Sequence, residues 1–131
     1  MPARTPLKLR PGLLVAAPQS GSGKTLVTLA LLRFLREAGV PARAAKAGPD
    51  YIDPAFHAAA LGRPSVNLDP WCMRPALLQA LAAGEGPLVV EGMMGLFDGA
   101  ADGSGSAADL AETLRLATVL VVDDGSADEE E

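Results

Sequence analysis

LLVAAPQSGSGKT, residues 13–25, is the stretch that decides the fold. Its first five residues are an apolar run too short for a helix, and they read as a buried strand. The next eight, P-Q-S-G-S-G-K-T, fit the phosphate-loop pattern G-x-x-x-x-G-K-[ST], except that Pro18 stands where the first glycine belongs. Gly21 and Gly23 let the backbone bend and turn its N–H groups inward around an anion. A helix starting near Lys24 adds its positive dipole end. Lys24 then reaches the β- and γ-phosphates, and the Thr25 hydroxyl is placed to ligate a metal. A plain Gly/Ser turn has the same composition, but here the motif lies between an apolar strand and an amphipathic helix. Gln19, Ser20, Gly21, Ser22, Gly23, Lys24 and Thr25 are therefore the expected nucleotide-binding residues. The expected ligand is ATP with Mg²⁺.

Working outward, short apolar runs alternate with helical patterns, as in a parallel α/β sheet. Helices are expected over 24–38, 54–61 and 75–83, and strands over 13–17, 42–45, 88–91 and 118–122. Residues 62–70 read as irregular and 92–105 as a Gly-rich loop. Ser106 with Asp109 three positions on resembles a capping box, with Asp in place of Glu. The expectation is a three-layer, mostly parallel domain over residues 1–123 that breaks off after about the fourth strand, whose following helix is lacking. Residues 124–131 read as a disordered acidic tail.

The chain has 131 residues, 49% of them hydrophobic, which allows one domain with one core. Aromatics make up only 4%, so aliphatic side chains and alanine must fill it. No apolar run is long enough to span a membrane. The basic start, MPARTPLKLRPG, is followed by too short an apolar run for a signal peptide, which points to the cytoplasm. The net charge of −5 comes from Asp124, Asp128, Glu129, Glu130 and Glu131; without them acids and bases balance. No basic stripe with aromatics suggests nucleic acid. Cys72, the single cysteine, reads as a small apolar residue, and His57, the single histidine, reads as structural.

Glu91 ends the 88–91 strand, where a phosphate-loop protein needs an acid to hold Mg²⁺ directly or through water. KAGPDYIDPAFH, residues 46–57, follows the second expected strand and so lies at the same sheet edge as the phosphate loop. Lys46, Asp50 and Asp53 could converge there on the γ-phosphate and the group that attacks it. Gly-Pro-Asp is also an ordinary turn, and Asp53-Pro54 an ordinary helix start.

Taken together, AAPQSGSGKT (16–25), KAGPDYIDPAFH (46–57), NLDPW (67–71), VVEGMMGLFDG (89–99) and LVVD (120–123) closely resemble the amino-terminal synthetase domain of cobyrinic acid a,c-diamide synthases, the hydrogenobyrinic acid enzymes included. Dethiobiotin synthetases and partition-type ATPases look more distant, and Gln19 stands where the partition type has an extra lysine. A protein amidating a nickel sirohydrochlorin is a related alternative, and a nucleotide-binding remnant without catalysis is another. The resemblance implies an ATP-dependent carbon–nitrogen ligase of cobalamin biosynthesis. ATP phosphorylates the a and c carboxylates of cobyrinic or hydrogenobyrinic acid, and ammonia displaces phosphate to leave an amide. In the family, ammonia comes from glutamine through a carboxyl-terminal amidotransferase domain in the same chain. That domain is expected to be absent here and the chain to be inactive alone; it could act as a monomer or a homodimer. The resemblance implies catalytic roles for Lys24, Lys46, Asp50, Asp53 and Asp98, and a metal site of Thr25, Asp50 and Glu91. Asp53 and Asp98 would organise metal, substrate or incoming ammonia, and Lys46 would neutralise the carboxylate or its acyl phosphate.

Overall fold

A computed structural model describes residues 12–123. The basic start and the acidic tail read from the sequence lie outside the described residues. Nine elements alternate along the chain: β1 (Gly12–Ala16), α1 (Lys24–Glu37), β2 (Arg43–Ala47), α2 (Asp53–Leu61), β3 (Ser65–Leu68), α3 (Pro75–Ala82), β4 (Leu88–Glu91), α4 (Ala107–Leu114) and β5 (Ala117–Leu120). The strands form one sheet in the order β3-β2-β4-β1-β5, and every pairing is parallel.

Two corrections follow. The sheet has five strands where about four were expected, and residues 65–68 are a strand where 62–70 read as irregular. Pro64 and Pro70 flank a four-residue segment whose Ser65 and Asn67 are polar, so no apolar run advertises it. Its partners are tertiary: parallel pairing with β2, and side-chain hydrogen bonds described below.

Alternation along the strands builds two cores on opposite faces of the sheet. Leu14, Ala16, Ala45, Ala47, Leu88 and Val90 pack with Leu78 of α3 and Leu110 of α4. Val15, Ala44 and Val89 pack with Leu32 of α1 and Leu61 of α2. The result is three layers, helix pair on sheet on helix pair. The alanines of β2 keep its surface low, which brings the overlying helices close to the backbone. At the next-to-last position of β2 and the last of β4, Lys46 and Glu91 stand opposite each other in register. The same alternation puts both on the α1/α2 side. Ser106 caps α4 as expected: its hydroxyl accepts from the Asp109 N–H, and the Asp109 carboxylate accepts from the Ser106 N–H. Cys72 is corrected from an apolar filler to an exposed residue whose thiol donates to Asp69 at 3.2 Å. That hydrogen bond, with the Asp69 charge, pushes the thiol's pKa up, away from reactivity.

Candidate functional site

The phosphate-loop segment leaves β1 and turns sharply into α1. Gly21 and Gly23 have φ of 82° and 88°, a left-handed backbone that side chains resist, and an added Cβ at either would meet nothing within 4 Å. The loop is thus bent and uncovered, as an anion cradle requires. Gln19, Ser20, Gly21 and Gly23 are exposed, and the Ser22 hydroxyl donates to the Gln19 carbonyl at 3.2 Å. α1 begins at Lys24 with Gly23 as its N-cap; no side chain caps it, and its first turn holds no acid. The N–H groups and the positive end of the helix therefore face the loop without an intrachain carboxylate.

Lys24 is 8% exposed, and its ammonium donates to the Met94 carbonyl at 2.9 Å. Burial, then the nearby Lys46 charge, lowers its pKa. Thr25 donates to Glu91 Oε2 at 3.1 Å. Glu91 is fully buried at the end of β4. Its Oε2 also accepts from Lys46 at 2.7 Å, while Oε1 lies 3.1 Å from His57 Nε2. Burial alone would raise the Glu91 pKa; hydrogen bonds from His57, Asp53 and Lys46 outweigh it and hold the carboxyl well below its usual range.

Lys46 is the hub. Its ammonium contacts Glu91 Oε2, Asp53 Oδ2 at 2.8 Å and the Gly92 carbonyl at 3.0 Å, with Asp50 Oδ2 farther off at 3.8 Å. Burial opposes its charge, but the bonds to Asp53 and Glu91 win and raise its pKa. Asp53 behaves oppositely to Glu91: the hydrogen bond it shares with Glu91, then burial, raises its pKa. Asp50 turns Oδ1 to the N–H groups of Ile52 and Asp53, at 2.7 and 3.2 Å. Burial raises the Asp50 pKa, but those N–H groups and Lys46 lower it further. Asn67 of β3 holds this turn by donating to the carbonyls of Gly48 and Asp50.

The 92–105 loop folds over the phosphate loop. Leu96 N–H donates to the Ala17 carbonyl at 2.7 Å, and Asp98 accepts from Gly95 N–H at 2.8 Å. A Cβ on Gly95 would lie 2.5 Å from the Pro18 carbonyl, so only glycine permits this approach. Beside it is a cavity of about 240 Å³, lined by Pro49, Asp69, Trp71, Met93, Met94 and Asp98 among others. Met94 belongs both to that wall and to the Lys24 contact.

Lys24, Thr25, Lys46, Asp53 and Glu91 therefore converge, with Asp98 near enough to act on the Lys24 charge. Asp50 joins through Lys46 and through the Asp53 N–H. Among the described residues, no group of three or more His, Cys, Asp and Glu side chains is arranged to hold a metal. The donors present at the phosphate loop, a hydroxyl and a carboxylate, are hard oxygens. Mg²⁺ suits such a sparse set, because it keeps waters and takes its remaining ligands from phosphate. Lys46 already demonstrates that Glu91 Oε2 accepts a cation. Two participants went unread in the sequence: His57 as a partner of Glu91, and the Met94 carbonyl. The first was signalled by its place in the 46–57 motif; a backbone carbonyl has no sequence signal.

No protein-family model matches the chain. It is 66% identical over 116 residues to a hydrogenobyrinate a,c-diamide synthase of Sinorhizobium sp. It is 62% identical over 116 residues to the protein of that name in Rhizobium meliloti, and 61% over 117 to that of Brucella suis. Each match takes in 86% of this chain but 27% of the relative's length. The resemblance read from the motifs is thereby borne out at the level of sequence: this chain is similar, over most of its length, to the amino-terminal part of hydrogenobyrinate a,c-diamide synthases.

Proposed function

We propose that this chain forms the ATP-binding part of an amide synthetase acting in the cytoplasm on carboxylates of hydrogenobyrinic acid or cobyrinic acid, in cobalamin biosynthesis. The observation that supports it most is the meeting of Thr25 and Lys24, at the start of α1, with the Glu91–Lys46–Asp53 cluster at the ends of β4 and β2. An open phosphate cradle thus adjoins charged groups suited to a carboxylate substrate. The relatives' names supply the substrate class, and the amide product follows from "diamide synthase".

In this reading the phosphates lie against the N–H groups of residues 19–25, and the Lys24 ammonium neutralises charge developing on the transferred phosphoryl group. Mg²⁺, held by Thr25 and Glu91 with Asp50 beyond them, would supply further positive charge to the phosphates. A substrate carboxylate oxygen bonds to the γ-phosphorus as the bond to ADP breaks. Ammonia then bonds to the acyl carbon, phosphate leaves and a proton is lost, giving the amide. Lys46 steadies the carboxylate cluster and neutralises the incoming acid or its acyl phosphate. The Trp71–Met94 wall of the cavity receives the apolar part of the substrate, and Asp53 and Asp98 orient it or the ammonia. In this reading ammonia comes from glutamine hydrolysed by a separate amidotransferase domain.

Calorimetric titration of ATPγS with Mg²⁺ into the chain and into Lys24→Ala tests the reading. The substitution is expected to weaken binding at least ~10-fold, since it removes a charge-assisted contact worth about 1.5–3 kcal/mol. Equal affinity for both proteins would sink it.

A further inference from the structure

We infer that His57 is a positioning residue of this site: backed by Ser65, it fixes the Glu91 carboxylate so that Oε2 alone faces the phosphate loop. The inference rests on the nucleotide reading above and goes beyond it. His57 lies on α2 and is fully buried, as is Glu91. Its Nε2 is 3.1 Å from Glu91 Oε1, and its Nδ1 is 3.0 Å from the Ser65 hydroxyl. An ionised carboxylate only accepts, so Nε2 carries the hydrogen and donates to it. With the hydrogen there, Nδ1 accepts from Ser65, and the ring cannot flip without breaking both bonds.

The two oxygens of Glu91 are thereby separated by task. Oε1 is spent on His57, and Oε2 is left for Thr25 and Lys46. Without the imidazole, the carboxylate is free to turn and share both oxygens with Lys46. Ser65 belongs to the construction because β3 pairs in register with β2, which sets Ser65 opposite Ala44 on the α2 face. Any buried imidazole needs partners for its nitrogens; what sets this one apart is that its partner is the carboxylate that Thr25 and Lys46 also reach. Groups that orient a ligating side chain in this way commonly matter 10–100-fold for metal affinity.

The test measures the Mg²⁺ concentration needed for half-maximal ATPγS binding by the full chain and by His57→Leu, His57→Gln and Ser65→Ala, with urea midpoints alongside. His57→Leu is expected to raise the requirement ~10-fold, with metal-free nucleotide affinity little changed. His57→Gln, whose amide can still donate to Glu91, should restore most of the loss. Ser65→Ala should raise the requirement less than His57→Leu, and it keeps the inference testable should the leucine variant not fold. An unchanged requirement in Ser65→Ala and in the folded His57 variants overturns the inference. So does equal weakening of metal-free and metal-dependent binding, the mark of a merely structural histidine. Wild-type chain showing no Mg²⁺-dependent binding would instead remove the functional reading, and the inference with it.

Discussion

Lys46 carries more of this site than any other side chain, because one ammonium satisfies a buried carboxylate, a half-buried one and a carbonyl. Removing one partner of such a cluster leaves charge buried without compensation, a loss of about 3–5 kcal/mol. Lys46→Met is therefore expected to lower the urea midpoint strongly near pH 7. A pH dependence absent from these groups in the wild type should also appear between pH 5 and 7. In the wild type, the Glu91 pKa is depressed in the folded state. Its contribution is present above the ordinary value of 4.5 and is lost as pH falls below it, offset in part by Asp53, whose pKa is raised. The Lys46 pKa is raised, so its contribution persists up to about 10.5 and is lost only as pH climbs through the still higher folded value. Without Lys46 both carboxylates have reason to hold a proton, and stability should rise as pH drops from 7 toward 5. Urea midpoints of both proteins across that range check this; parallel profiles would contradict it.

At the scale of elements, α1 and α4 start in opposite ways, and the difference tracks their tasks. α4 closes its own N-terminus with a reciprocal Ser106–Asp109 box. α1 has no side-chain cap and no acid in its first turn, leaving its N–H groups for an external anion. Ser106→Ala should cost about 1 kcal/mol, the usual worth of such a cap. Since α4 donates through Ala108 N–H to Leu96 and packs Leu110 into the core, that cost should appear in global unfolding and not as local fraying. An unchanged urea midpoint would show that the cap is redundant. Gly95 plays a comparable part between elements, letting the loop after β4 press against Pro18. Proline is tolerated at the first motif position because the left-handed backbone of the phosphate-facing turn falls at Gly21 and Gly23.

For the whole molecule, the sheet's two edges differ. β3 is sealed on the α2 side by hydrogen bonds from Ser65 and Asn67, whereas every residue of β5 is exposed. Val119 is 45% exposed and Leu120 47%, on opposite faces of an edge whose outer N–H and C=O groups have no strand beside them among the described residues. Such an edge pairs with other chains. Sedimentation of the chain should show mass rising with concentration, and Val119→Lys should suppress that rise; a wild-type chain that stays monomeric throughout would refute the expectation. Much of this architecture was legible beforehand. Apolar runs marked β1 and β4, glycines marked the turn into α1, and the phosphate-loop and 46–57 motifs named groups that meet. These are local properties, written in periodicity and backbone freedom. β3 was not legible, because its polar residues face partners on α2 and on the 48–50 turn that only folding brings near. For the same reason His57 read as structural: a side chain's neighbours across a sheet are set by strand order and register. The sequence by itself determined the layered α/β class and which residues could bind phosphate. Only the tertiary structure decided that Lys46, Glu91 and His57 share one buried network, since parallel register aligned the ends of β2 and β4 beneath α1 and α2.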